Sequence, residues 1–113
     1  MGCCSSNQVD FLCAGSSKEL SEMMLRQRDS IQKEIENQRD ENKELSSFYT
    51  LICSDTENYA IRIENCDFKQ NFNDIKVSVH SLYVAVQNND RSQYDLEKKK
   101  LENIINHHDV LEL

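Results

Sequence analysis

Residues Ile31 to Cys66 read IQKEIENQRDENKELSSFYTLICSDTENYAIRIENC. Stepping through them by four and three gives Ile31, Ile35, Gln38, Asn42, Leu45, Tyr49, Ile52, Thr56, Tyr59, Ile63 and Cys66, with eight apolar residues among the eleven. An apolar spacing of 3.5 residues held over more than three heptads lets a helix present one unbroken stripe to a neighbouring helix. This stretch predicts an all-α chain whose long helices form a coiled coil or a small fold-back helical bundle. Asn42 falls at an a-type position. A buried Asn there would fix register at some cost in stability, and a solvated Asn would merely interrupt the seam. Ser54-Asp55-Thr56-Glu57 has the form of a capping box that could open a new helix. The heptad passes straight through it from Ile52 to Tyr59, so one continuous helix is expected there.

Upstream, Ser16 and Glu19 have the spacing of an N-cap and its N3 partner. Between there and Ser46 the chain is rich in Glu, Lys, Arg, Gln and Met, and Glu22/Arg26 and Asp29/Lys33 place acid before base at i,i+4. Such pairs each favour helix by a few tenths of a kcal/mol.

Downstream, Asn65–Asp74 is rich in Asn and Asp, which favour turns and caps over helix interiors. The stripe then resumes in a shifted phase at Phe68, Phe72, Ile75, Val79, Leu82 and Val86, while Val77 and Val84 keep the older phase. The two phases together predict a helix apolar over a wide face, buried against more than one neighbour. Ile75, Val77 and Val79 also alternate as a strand would, but one strand has no sheet to join. Gln87-Asn88-Asn89-Asp90 reads as a loop, and Asp90 with Gln93 as the N-cap pair of a last helix carrying Tyr94, Leu101, Ile104, Ile105 and Leu111. The punctuation at 65–74 and 87–90 favours a fold-back of about three helices over a single rod.

The composition agrees with helix. Among 113 residues there are two glycines, Gly2 and Gly15, and no proline or tryptophan, so the usual breakers of regular structure are missing from most of the chain. Hydrophobic residues make up 38% and charged residues 29%, a balance suited to narrow helical seams.

The N-terminus has a different character. Met1-Gly2-Cys3-Cys4-Ser5-Ser6 has the form of an N-myristoylation signal: removal of Met1 exposes Gly2, and Ser6 supplies the hydroxyl residue four places on. Cys3 and Cys4 stand where a membrane-held chain can receive palmitate, and whether Cys13 joins them is open. Residues 2–17 carry Asp10 and no Lys or Arg, so no polybasic patch assists an acyl chain. One myristoyl group binds a bilayer only marginally, which makes Cys3 and Cys4 the candidates for the second signal. Residues 1–17 are expected to be a disordered lipid-anchor segment, in which Phe11 and Leu12 either dip into the bilayer interface or are incidental linker. Residues 18–113 are expected to form the helical interaction module.

The net charge of −7 argues against nucleic acid, whose phosphates need a basic face. The five cysteines, Cys3, Cys4, Cys13, Cys53 and Cys66, are an odd number and do not suit a disulfide framework. With His80, His107 and His108 they show no zinc-ligand spacing, and His107-His108 suit the negative end of a helix dipole instead. Lys98-Lys99-Lys100 is flanked by Glu97 and Glu102 and reads as a solvated face. No phosphate-cradling loop, nucleophile elbow or EF-hand can be drawn. The expectation is a non-enzymatic protein without cofactor or small-molecule substrate, peripheral and lipid-anchored at the cytoplasmic face of the plasma membrane or an endomembrane. There it would act as an adaptor holding a helical protein partner along the seam of Ile31, Ile35, Asn42, Leu45, Tyr49, Ile52, Tyr59 and Ile63. The alternative is a structural protein of a membrane-associated cytoskeletal layer, self-associating through the same seam.

Overall fold

A computed structural model describes residues 11–38, 43–65 and 72–112. Among the described residues the chain is all-helical, with no strand: α1 (Ser17–Gln38), α2 (Lys43–Asn65), α3 (Phe72–Gln87) and α4 (Arg91–Glu112), preceded by a 3₁₀ turn at Phe11–Cys13.

The caps foreseen at two helix starts are made. The backbone N–H of Glu19 donates to Ser16 Oγ at 3.1 Å. The Glu19 carboxylate reaches back one residue further than a capping box requires, to the N–H of Gly15 at 2.6 Å. At the other loop, Asn89 takes the left-handed conformation at φ 54°. Its N–H donates to the Val86 carbonyl and that of Asp90 to the Ala85 carbonyl, both at 3.0 Å. This closes the end of α3 as a Schellman motif, with Asn in the place glycine usually takes. Asp90 then caps α4, accepting from the N–H of Gln93 at 3.0 Å.

The α1–α2 contacts pair early residues with late ones. Ser21 Oγ donates to the Ala60 carbonyl at 2.8 Å, and Arg28 meets Glu57 at 3.1 Å, so the two helices are antiparallel. α2 and α3 are antiparallel too: Tyr49 hydroxyl donates to Asn89 Oδ1 at 2.9 Å, and Thr56 and Tyr83 share a hydroxyl hydrogen bond. α2 and α4 run parallel, since Asp55 meets Tyr94 and Arg62 meets Asn106. The chain thus goes up, down, up and down.

The core is set by the apolar stripes. Leu20, Met24 and Ile31 of α1, Ile52, Tyr59 and Ile63 of α2, Ile75, Val79 and Leu82 of α3, and Tyr94, Leu101 and Ile105 of α4 are all buried. Phe48 meets the edge of Tyr94 with ring centroids 5.3 Å apart and planes at 83°, a geometry favoured by the ring quadrupoles.

Four expectations change. The seam from Ile31 to Cys66 is not one helix: α1 ends at Gln38 and α2 begins at Lys43, and the stripe is shared by two antiparallel helices. Among the described residues the fold-back uses four helices rather than about three. Third, the fold begins before residue 18. Phe11 is 3% exposed and stacks on Tyr83 with centroids 5.0 Å apart, and Ala14 is buried beside it. The 3₁₀ turn is held by Lys76, whose ammonium donates to the carbonyls of Leu12 and Ala14, each at 3.2 Å. Lastly, the two apolar phases of α3 part company. Ile75, Val79, Leu82 and Val86 are buried, whereas Val77 and Val84 are 48% and 40% exposed. The helix that might have been a strand over 75–79 is α3, and the capping box at 54–57 lies inside an uninterrupted α2.

Candidate functional site

The lipidation candidates Gly2, Cys3 and Cys4 lie outside the described residues, as do Asn42 and Cys66 of the seam. The rest of the seam is brought together, but against the chain's own helices. Ile31, Ile52, Tyr59 and Ile63 are buried, and Ile35, Leu45 and Tyr49 pack partly buried against the same core. Thr56, at a polar step of the stripe, is buried with its hydroxyl on Tyr83. A partner helix seated on this seam would have to displace α1, α3 or α4.

A line of polar contacts joins α2 to α4, and sequence reasoning missed it. Asp55 Oδ2 accepts from the Tyr94 hydroxyl at 2.7 Å and lies 3.0 Å from Lys98 Nζ. One turn on, the Glu102 carboxylate bonds Tyr59. Near the far end, Arg62 donates to Asn106 Oδ1 at 2.6 Å. Parallel helices repeat their contacts every turn in the same order, which is why 55, 59 and 62 meet 98, 102 and 106 in sequence. Burial, and after it the bond to Asp55, pushes the Tyr94 hydroxyl well above the usual tyrosine range. Burial does the same to Tyr59 and Tyr83. Tyr94 and Tyr59 therefore stay protonated and donate to Asp55 and Glu102, holding α2 and α4 in register.

Cys53 is a buried free thiol whose Sγ lies 3.7 Å from the Arg28 carbonyl. Burial pushes it up to about 11. A thiol so held is a poor nucleophile, since the thiolate is the reactive form. Arg28 sits above it on the surface and bridges Asp29 and Glu57. The Asp29 bond, foremost, raises the guanidinium's pKa further.

Among the described residues, no group of three or more His, Cys, Asp and Glu is arranged to hold a metal ion, and no helix is long and apolar enough to cross a membrane. A cleft of about 500 Å³ opens where α2 and α4 begin. Phe48 floors it under the Arg91 guanidinium, 5.7 Å from the ring centroid. Its rim mixes Lys43 and Arg91 with Glu44, so it offers no field of one sign.

The outer surface carries a different pattern. Among the described residues, Leu12, Ile61, Val77, Val84 and Leu96 are the large apolar residues that stay exposed. Ile61 and Leu96 stand alone on α2 and α4, while Val77 and Val84 are one heptad apart on the same side of α3. No protein-family model, no curated protein and no solved structure matches this chain.

Proposed function

We propose that this chain is a helical adaptor tethered to the cytoplasmic face of a membrane by myristate on Gly2 and palmitate on Cys3 or Cys4, holding a protein partner there. The carrying observation is the sequence Met1-Gly2-Cys3-Cys4-Ser5-Ser6, with no basic residue near it. An acidic protein gains nothing from the negative inner leaflet. The anchor therefore rests on two acyl signals, because one myristoyl chain alone binds reversibly. Six residues lie between Cys4 and Phe11, the first described residue of the fold, and an extended chain spans at most about 3.3–3.6 Å per residue. The helices are thus carried close to the bilayer, which raises the partner's effective concentration at the surface.

The partner reads the outside of the fold. Its helix does not enter the stripe of Ile52, Tyr59 and Ile63, because these side chains already meet the chain's own helices. The same burial weighs against the alternative of a self-associating cytoskeletal coil. Copies would have to exchange helices to share the seam, giving up intramolecular contacts to do so.

Metabolic labelling with a myristate analogue tests the anchor: label is expected on the wild type and lost in Gly2→Ala, which becomes soluble. Replacing Cys3 and Cys4 together by Ser is expected to leave weak, reversible membrane binding. An unlabelled wild type would sink the anchor, and tight binding of the double variant would remove palmitate as the second signal.

A further inference from the structure

We infer that the face formed by the 3₁₀ turn and the outer side of α3 is the side that lies against the bilayer, with Leu12, Val77 and Val84 as the side chains that touch lipid. The inference rests on the acyl anchor of the preceding section and adds an orientation to it.

Three observations on different levels converge on this face. The first is charge. α1 carries nine Asp, Glu, Lys or Arg among its 22 residues, α4 nine among 22 and α2 six among 23. α3 carries two among 16, Asp74 and Lys76, and residues 11–16 carry none. A protein of net charge −7 pays least in desolvation and repulsion when it turns its uncharged side to the headgroups.

The second is exposed apolar area. Leu12 is 42%, Val77 48% and Val84 40% exposed. Val77 and Val84 continue the seven-residue phase of the upstream stripe, and among the described residues no helix covers them, although Val84 borders Gln93 and Glu97 of α4. Apolar side chains aligned on one helix side, rimmed by Asn73, His80 and Asn88, favour transfer into the acyl–headgroup boundary.

The third is where the anchor joins the fold. The described residues begin at Phe11, which is stacked on Tyr83 of α3. Lys76 bonds the carbonyls of Leu12 and Ala14, so the segment to which an N-terminal anchor would connect is fixed beside α3. Ile61 and Leu96 are as exposed as Val77, but they lie on α2 and α4, which carry more charge than α3. The bilayer is thus the second neighbour that the two apolar phases of α3 predict.

The test uses full-length chain with myristate placed at Gly2 by ligating a synthetic 2–12 peptide to Cys13, followed by refolding. Whether cells acylate Gly2 then has no bearing on the outcome. The protein has no tryptophan, so Val77→Trp and Ile61→Trp each give a single reporter. On phosphatidylcholine vesicles brominated in the acyl chains, Trp at position 77 is expected to be quenched at least twofold more than Trp at position 61. The pair Val77→Gln and Val84→Gln is expected to lower vesicle partitioning roughly fivefold, as fits the loss of buried apolar area from a marginal anchor. Ile61→Gln with Leu96→Gln should change it less than twofold, and circular dichroism should show all variants equally helical. Equal quenching at 77 and 61, or equal partitioning of the two Gln pairs, overturns the orientation and leaves the anchor untouched. So does a Val77/Val84 pair that binds vesicles normally but loses a protein partner, since the face would then belong to that partner. Absence of myristate from the cellular protein would instead count against the anchor.

Discussion

The Tyr94 hydroxyl on α4 donates to Asp55 Oδ2 on α2 at 2.7 Å, although Tyr94 itself is fully buried with its ring against the edge of Phe48. A buried hydroxyl without an acceptor would cost more than an ordinary hydrogen bond returns. Asp55 also meets Lys98 at 3.0 Å, with side-chain exposures of 15% and 25% respectively. Asp55→Ala is expected to destabilise the fold by about 2–3 kcal/mol, because it strands both donors. Tyr94→Phe removes donor and need together and should cost about 1 kcal/mol. Urea unfolding of the two single variants and the double variant gives the coupling, which should be positive and of similar size to the hydrogen bond.

Phe11 lies outside the helices but inside the core. Phe11→Ala is expected to cost about 3 kcal/mol, and a chain starting at Ser16 should melt lower by a comparable margin. A truncated chain with an unchanged melting temperature would show that the fold does not need the 3₁₀ turn.

Ile63 and Ile61 sit two residues apart on opposite sides of α2, fully buried and 58% exposed. Ile63→Ala should destabilise by about 2–5 kcal/mol. Ile61→Ala should stay within about 0.5 kcal/mol, as surface substitutions do. Thermal melts of both variants compare buried and exposed positions on one helix.

Alkaline pH should unfold the protein. Burial raises the folded-state values of Tyr59, Tyr83 and Tyr94 above the ordinary 10.0, and that of Cys53 from 9.0 to about 11. An unfolded chain releases these protons first, so above pH 9 to 10 the unfolded state binds fewer protons and stability falls with rising pH. Below that range the contribution is fully present. Absorbance of tyrosinate should rise together with loss of helical circular dichroism, in one cooperative step rather than as a gradual titration followed by unfolding.

Cys53 should be protected from thiol reagents in the folded state. Its burial and its contact with the Arg28 carbonyl keep it protonated and out of reach. Peptide mapping after brief alkylation should find Cys13, which is half-exposed, modified far faster than Cys53, and the difference should vanish in denaturant.

The helical class was legible because a four-three spacing and the near absence of breakers are local properties. So were the caps at Ser16 and Asp90, whose donors and acceptors lie within four residues of each other. The break after Gln38 was hidden for an arithmetic reason. Ile35 and Leu45 are ten residues apart, a distance that keeps heptad phase, and the two arms of an antiparallel hairpin need the same apolar stripe that one long helix would show. Composition assigns Phe11 to the tether, because the serine, glycine and cysteine around it outweigh a single aromatic. Its place is set by Tyr83, 72 positions away in the sequence.

The sequence by itself determined that this chain is helical, where two of its helices start, and that its N-terminus has the form of an acylation signal. Only the tertiary structure decided what fills the seam, which acids and tyrosines join α2 to α4, and which apolar residues stay in water. Periodicity reports the direction a side chain takes from its own helix axis. What lies in that direction depends on how the helices fold back, and contacts such as Asp55 with Tyr94 join residues 39 positions apart.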